Sequence, residues 1–192
     1  MHKRSWALCA ALFLTGCAYL GYLKDPYSDI PAFVKVNDSL YRGGQPKEAG
    51  WKRLSSLGIR TIVDLREDNP GIAGERQRAD ASGIRFIHIP MSIYAAPTDE
   101  QVMLFLETVL TPANQPVFVH CDSGRNRTGA MIAMYRVVVE GWTIKQAYHE
   151  ARQLGFFPYH GREALLKSFV HQLKDKKSYF DKAKELTHEN NP

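Results

Sequence analysis

The sequence predicts a single α/β domain with a largely parallel central sheet flanked by helices. Short apolar runs rich in Val, Ile and Phe alternate with longer amphipathic runs, the order of strands joined through helical crossovers. At 192 residues and 44% apolar side chains, the chain is long enough and apolar enough for one proper core. No internal repeat or low-complexity tract interrupts the alternation.

Element by element, Val34 to Val36 and Ser39 to Arg42 read as a short hairpin turned by Asn37-Asp38. A helix opens near Pro46, a good first-turn residue, and stops at Gly58. Arg60 to Leu65 is an apolar strand. Ile72 to Ser82 is helical, ended by Gly83, and Arg85 to Ile89 is the next strand. Thr98 begins a helix with Gln101 three residues on, a capping box, and Pro112 bounds its end. Val117 to His120 is the central strand. Helices follow at Thr128 to Val139, Thr143 to Leu154 and Glu163 to about Leu186. In such a sheet, ligands bind outside the carboxyl ends of the strands.

The chemistry concentrates in His120-Cys121-Asp122-Ser123-Gly124-Arg125-Asn126-Arg127-Thr128-Gly129. This segment joins the central strand to a helix, so the backbone N–H groups of Asp122, Ser123, Gly124, Arg125, Asn126 and Arg127 converge on one point at a helix N-terminus. A tetrahedral dianion fits there, held by amide dipoles, with Arg127 forking two of its oxygens. Cys121, at the bottom of the cradle, feels the same field. That field favours the thiolate, the nucleophilic form.

His-Cys-x5-Arg-Thr-Gly resembles the signature loop of the cysteine-dependent protein tyrosine and dual-specificity phosphatases. Leu40-Tyr41-Arg42-Gly43-Gly44-Gln45-Pro46, Val63-Asp64-Leu65-Arg66 and Asn114-Gln115-Pro116 resemble the small atypical dual-specificity group, with its plant, fungal and bacterial members. The similarity spans roughly Ile30 to Phe157. A rhodanese-like sulfurtransferase also sets a cysteine in an anion cradle, but its loop is generally one residue shorter. The resemblance implies a protein-tyrosine-phosphatase-like fold and phosphate-ester hydrolysis through a phosphocysteine. It also implies that the Thr128 hydroxyl helps the thiolate depart in the second step, although a helix N-cap is an equally simple use of Thr128. His120 would orient the loop through backbone hydrogen bonds, with a direct proton-transfer role as the alternative. No cofactor and no metal are needed, because Arg127 and the amides supply the positive charge.

A leaving alkoxide or phenoxide wants a proton, and the resembled family usually supplies it from an aspartate on a mobile loop. The corresponding loop here is Met91 to Asp99, which makes Asp99 the candidate general acid. Asp68 and Asp64 compete, since an acid in the first turn of a helix stays ionised for dipole reasons. Tyr94 could stack on a phenyl ring, and Arg125 could meet a second acidic group of a substrate. The resembled enzymes that act on inositol pyrophosphates carry basic residues at this part of the loop, whereas this chain has Asp122-Ser123, which makes its loop less suited to a crowded polyphosphate.

Residues 1–16 read as a lipoprotein-type signal peptide, with a basic start at His2-Lys3-Arg4 and an apolar run too short to span a bilayer. Leu14-Thr15-Gly16-Cys17 resembles a bacterial lipobox, so Cys17 is the expected lipidation site, with a short uncleaved anchor as the alternative. Ala18 after the cysteine points to the outer membrane, facing the periplasm. Residues 17–31 would be a tether, 32–187 the phosphatase domain and 188–192 a tail. Loss of Lys3 and Arg4 would reduce the net charge from +5 to +3, too weak a bias for nucleic acid. The expected partners are therefore a phosphorylated protein or small phosphoester substrate, and a membrane through the lipid. Three functions follow: hydrolysis of phosphotyrosine or phosphoserine/threonine esters, hydrolysis of inositol polyphosphates or pyrophosphates, or non-catalytic phosphate binding.

Overall fold

The computed structural model describes residues 29–157 and 164–189; the expected signal peptide, Cys17 and most of the expected tether lie outside them. Five strands form one sheet: β1 (Val34–Lys35), β2 (Leu40–Gly44), β3 (Thr61–Asp64), β4 (Arg85–His88) and β5 (Val117–Cys121). Their order is β1-β2-β5-β3-β4, antiparallel only between β1 and β2. The largely parallel sheet read from the alternation is thus present. The Asn37 side chain closes the β1–β2 turn by accepting from the Ser39 N–H at 3.0 Å.

Seven helices surround the sheet among the described residues: α1 (Glu48–Ser56), α2 (Gly71–Ala81), α3 (Asp99–Leu110), α4 (Asn126–Val138), α5 (Ile144–Gln153), α6 (Ala164–Gln172) and α7 (Lys177–Glu189). Side-chain alternation divides the core in two. Leu40, Val63, Val117, Val119 and Cys121 face α3 to α7, whereas Tyr41, Ile62, Phe86 and Phe118 face α1 and α2. All five residues of β5 are buried, as suits a strand covered on both faces. Helix α4 lies inside the larger half, buried at every residue from Arg127 to Val138. The capping box of Thr98 and Gln101 forms as read, and Thr143 with Gln146 makes a second one at the start of α5.

Three expectations on element limits change. Ile30, assigned to the tether, is fully buried against α1, and the Lys47 N–H donates to the Asp29 carbonyl at 2.8 Å, so the folded body begins by Asp29. The long final helix is broken. A short 3-10 turn, Leu173–Asp175, and a non-helical Lys176 separate α6 from α7. Tertiary contacts override local propensity there: the break turns Lys176 and Tyr179 toward the start of α3. Finally, α4 begins at Asn126, which makes Thr128 an internal first-turn residue and removes its reading as an N-cap. Among the described residues, no helix is long and apolar enough to cross a membrane.

Candidate active site

Parallel strands β2, β5 and β3 end side by side, and the Cys121–Arg127 loop leaves from the middle one. The neighbours of β5 fix the loop's path. Gly124 adopts φ +70° and sits so close to β2 that a Cβ there would lie 2.3 Å from the Gly43 carbonyl carbon. A Cβ at Gly44 would in turn meet the Asp122 carbonyl oxygen at 2.8 Å. Only glycines allow this approach. The Gln45 N–H donates to that same Asp122 oxygen at 3.0 Å, and Arg42 donates from Nη2 to the Gly124 carbonyl at 2.6 Å. The Leu40 to Pro46 motif is therefore the wall against which the loop is folded.

Arg42 is itself unusual. It is 1% exposed, and its Nε and Nη1 have no hydrogen-bond partner among the described residues. Burial lowers its pKa to about 10, against an opposing pull from nearby Cys121 and Glu150. It adds a buried positive group beneath the cradle.

Cys121 ends β5, is 2% exposed and carries a free thiol. Arg127 follows in the first turn of α4, 5% exposed. Its Nη2 lies 2.5 Å from Asp122 Oδ2, and its Nη1 donates to the Met91 carbonyl at 3.4 Å. Thr128 is fully buried, with a hydroxyl that has no hydrogen-bond partner among the described residues. Ser123 and Arg125 are exposed. Arg125 lays its stem along Gly155, and the Asn126 side chain accepts from the Phe157 N–H at 3.1 Å. The loop, Cys121, Arg127 and Thr128 are thus brought together, while the side chains of Arg125 and Asn126 turn toward the segment after α5.

Behind the loop lies a charge cluster that the sequence reading did not assemble. His120 is fully buried, stacked on Phe118 with ring centroids 5.6 Å apart, and its Nδ1 lies 3.3 Å from the Cys121 carbonyl oxygen. Its Nε2 is 3.0 Å from Glu75 Oε1, near but out of line for a hydrogen bond. Glu75, from α2, also accepts from Gln45 at 2.9 Å and from Arg66. Arg66 closes the cluster on Asp64, with Nη2 to Oδ2 at 2.6 Å. Burial pushes the Asp64 carboxyl up, but the Arg66 hydrogen bonds and the His120 ring outweigh it and hold it below the usual carboxylate range. Asp64, Glu75 and His120 have ligand atoms close enough to hold a metal ion. The Arg66 guanidinium already contacts both carboxylates, which makes the trio a paired charge cluster rather than an open cation site.

Asp99, the expected general acid, is placed elsewhere. Its Oδ1 accepts from Tyr179 Oη at 2.5 Å and from Lys176 Nζ at 2.9 Å, fastening α3 to α7. Those two bonds hold its carboxyl below the usual range, so it stays ionised and engaged, which is the opposite of a proton donor. Asp64 is excluded by its burial and its pairing with Arg66. Asp68 is exposed on the loop after β3, with Oδ1 3.6 Å from His88 Nδ1.

A sheet of this order, with a cysteine, a glycine-turned anion loop and an arginine at one strand end, defines a protein-tyrosine-phosphatase-like α/β domain. The family model described as "DSP-PTPase phosphatase fused to NAD+ Kinase" matches residues 29–170, and the chain belongs to that family. It is 31% identical, over 63% of its length, to a probable tyrosine-protein phosphatase, DG1060 of Dictyostelium discoideum, and spans 74% of that protein. It is 31% identical, over 64% of its length, to the dual specificity protein phosphatase TpbA of Pseudomonas aeruginosa, but spans only 54% of it. A cysteine-to-serine form of TpbA solved with phosphotyrosine superposes with a TM-score of 0.65 at 22% identity, covering 82% of this chain and 99% of that one. The catalytic domain of Siw14 from S. cerevisiae, described as a PP-IP phosphatase, superposes with a TM-score of 0.69 at 28% identity, covering 85% of this chain and 96% of that one.

Proposed function

We propose that the chain hydrolyses phosphate monoesters, phosphotyrosine foremost and phosphoserine/threonine as well, through a phosphocysteine on Cys121. The observation that carries this reading is the convergence of a buried free thiol, the Arg127 guanidinium and an unpartnered Thr128 hydroxyl at the loop where β5 enters α4. The Cys121 thiolate attacks phosphorus in line as the ester oxygen departs. Water then cleaves the S–P bond, releasing phosphate and restoring the thiolate. Charge spreads over the equatorial oxygens during both transfers, and Arg127 with the loop amides is fixed in place to receive it. The Thr128 hydroxyl donates to the sulfur as it departs in the second step.

In this mechanism Asp68 gives the leaving oxygen its proton, being the exposed member of the remaining pair. The segment from Ile89 to Thr98 contains no carboxylate. With the proton supplied from outside that segment, the leaving groups that need least protonic help are favoured, which supports phenols and so phosphotyrosine over alkyl esters. The relationship to Siw14 supports inositol pyrophosphates as the second reading, since a phosphate is also a ready leaving group.

The test is phosphate release from a phosphotyrosine peptide and from an inositol polyphosphate by wild type and Cys121→Ser. Release by wild type and none by the variant is the expected result; equal release by both removes the nucleophile assignment. Across pH, the basic limb of kcat should disappear in Asp68→Asn and persist in Asp99→Asn. The reverse pattern returns the acid role to Asp99.

The lipobox-like Leu14-Thr15-Gly16-Cys17 and the small Ala18 support an envelope lipoprotein of the atypical dual-specificity group, anchored in the outer membrane. Mass spectrometry of the N-terminal peptide tests this, and a chain that retains residues 1–16 overturns it.

A further inference from the structure

The arginine of the cradle is already occupied. Arg127 is 5% exposed, and its Nη2 meets Asp122 Oδ2 at 2.5 Å. Asp122 thus presents a carboxylate to the guanidinium that is to fork the substrate phosphate. The backbone of Asp122 cannot carry it away, because its carbonyl accepts from the Gln45 N–H at 3.0 Å and lies against Gly44. Its side chain is free to swing, with 68% of its surface exposed. Of the other arginines near the cradle, Arg42 donates to the Gly124 carbonyl and Arg66 holds Asp64 and Glu75, while the exposed Arg125 lays its stem along Gly155.

We propose that Asp122 determines substrate specificity as an internal anion: it fills the Arg127 fork in the resting enzyme and, once displaced, stays tethered at the mouth by its backbone as a negative charge that disfavours a second phosphate beside the first. This rests on the phosphatase reading and narrows it to monophosphate esters. A substrate bearing one phosphate must displace one carboxylate from Arg127. A substrate bearing several phosphates must do the same and then hold its neighbouring phosphates against the displaced carboxylate, with Arg42 and Arg66 engaged elsewhere. Like charges held this close repel even with solvent screening, so the penalty grows with each added phosphate.

The experiment compares full-chain wild type, Asp122→Asn and Asp122→Glu. Inorganic phosphate binding is measured by calorimetry, and kcat/KM is measured for an aryl monophosphate and for inositol hexakisphosphate. An exposed side chain tolerates these substitutions, so folding is retained. Removing one competing charge should tighten phosphate binding about five- to tenfold in Asp122→Asn. The kcat/KM ratio of inositol hexakisphosphate to aryl phosphate should rise by at least that factor. Asp122→Glu keeps the charge and should raise neither value. Phosphate binding that is unchanged or weaker in Asp122→Asn overturns the proposal, and so does an unmoved ratio. Because phosphate affinity is an equilibrium quantity, it judges Asp122 even in a chain that turns nothing over; a wild type that releases phosphate from neither ester counts against the phosphatase reading instead.

Discussion

Arg127→Lys is expected to lower kcat on an aryl phosphate by roughly 10²- to 10³-fold, with a smaller change in KM. The reasoning starts from shape. A guanidinium offers parallel N–H donors in a fixed plane, whereas an ammonium offers a point charge on a flexible stem. Arg127 is 5% exposed, anchored on one side by the Met91 carbonyl and on the other by Asp122, so its plane is set before substrate arrives. In the proposed reaction its two donors meet the equatorial oxygens as they gain charge, and lysine can meet only one. An interaction that strengthens in the transition state reports in kcat rather than in KM. Steady-state kinetics decide the matter. A kcat within about threefold of wild type would show that the loop amides hold the charge without the fork.

Glu75→Ala is expected to cost about 3–5 kcal/mol of stability, among the largest single effects in the domain. Glu75 is fully buried and joins three elements: Gln45 after β2, Arg66 after β3 and His120 on β5. Its loss leaves part of a buried guanidinium and a buried imidazole facing a void, and a desolvated charge without its partner is costly. Urea unfolding should show a lower midpoint at an unchanged slope. A midpoint shift worth under about 1 kcal/mol would mean that Asp64 alone satisfies Arg66. The same cluster predicts acid sensitivity. Asp64 ionises more readily folded than unfolded, so its stabilising contribution is fully present above about pH 4. That contribution is lost as pH falls through the lower, folded value.

Much of the fold was legible because its signals are local. Apolar runs and glycine stops gave the strands and first helices, and Thr98-x-x-Gln101 gave a helix start to the residue. The cradle was legible because Cys121, Gly124, Arg127 and Thr128 stand within one strand-to-helix junction. The rest depends on distance in space. Asp64, Glu75 and His120 are far apart in the chain, and Glu75 sits in a helix whose charged run, Glu75-Arg76-Gln77-Arg78, reads as solvated. One signal was available: Glu75 falls on the same stripe as Ile72 and Ala79, the buried face of α2. A charge on an apolar stripe asks for a buried partner. Arg42 gave the same hint, two residues after Leu40 on one face of a fully buried strand. The break at Lys176 has no glycine or proline to announce it. It follows from the pull of Asp99, which also explains why the carboxylate best placed by sequence is spent on holding helices together.

The entry point of the chain sets a working distance. Pro31 accepts from the Gly44 N–H at 2.6 Å, and Gly44 lies against the Asp122 carbonyl, so the first described residues border the reaction mouth. If Cys17 carries a lipid as proposed, the stretch from there to Asp29 can reach at most about 40 Å when fully extended. Phosphorylated groups would then be met only in a shallow layer above the bilayer, and targets drifting farther into the compartment would escape unless they came back to the surface.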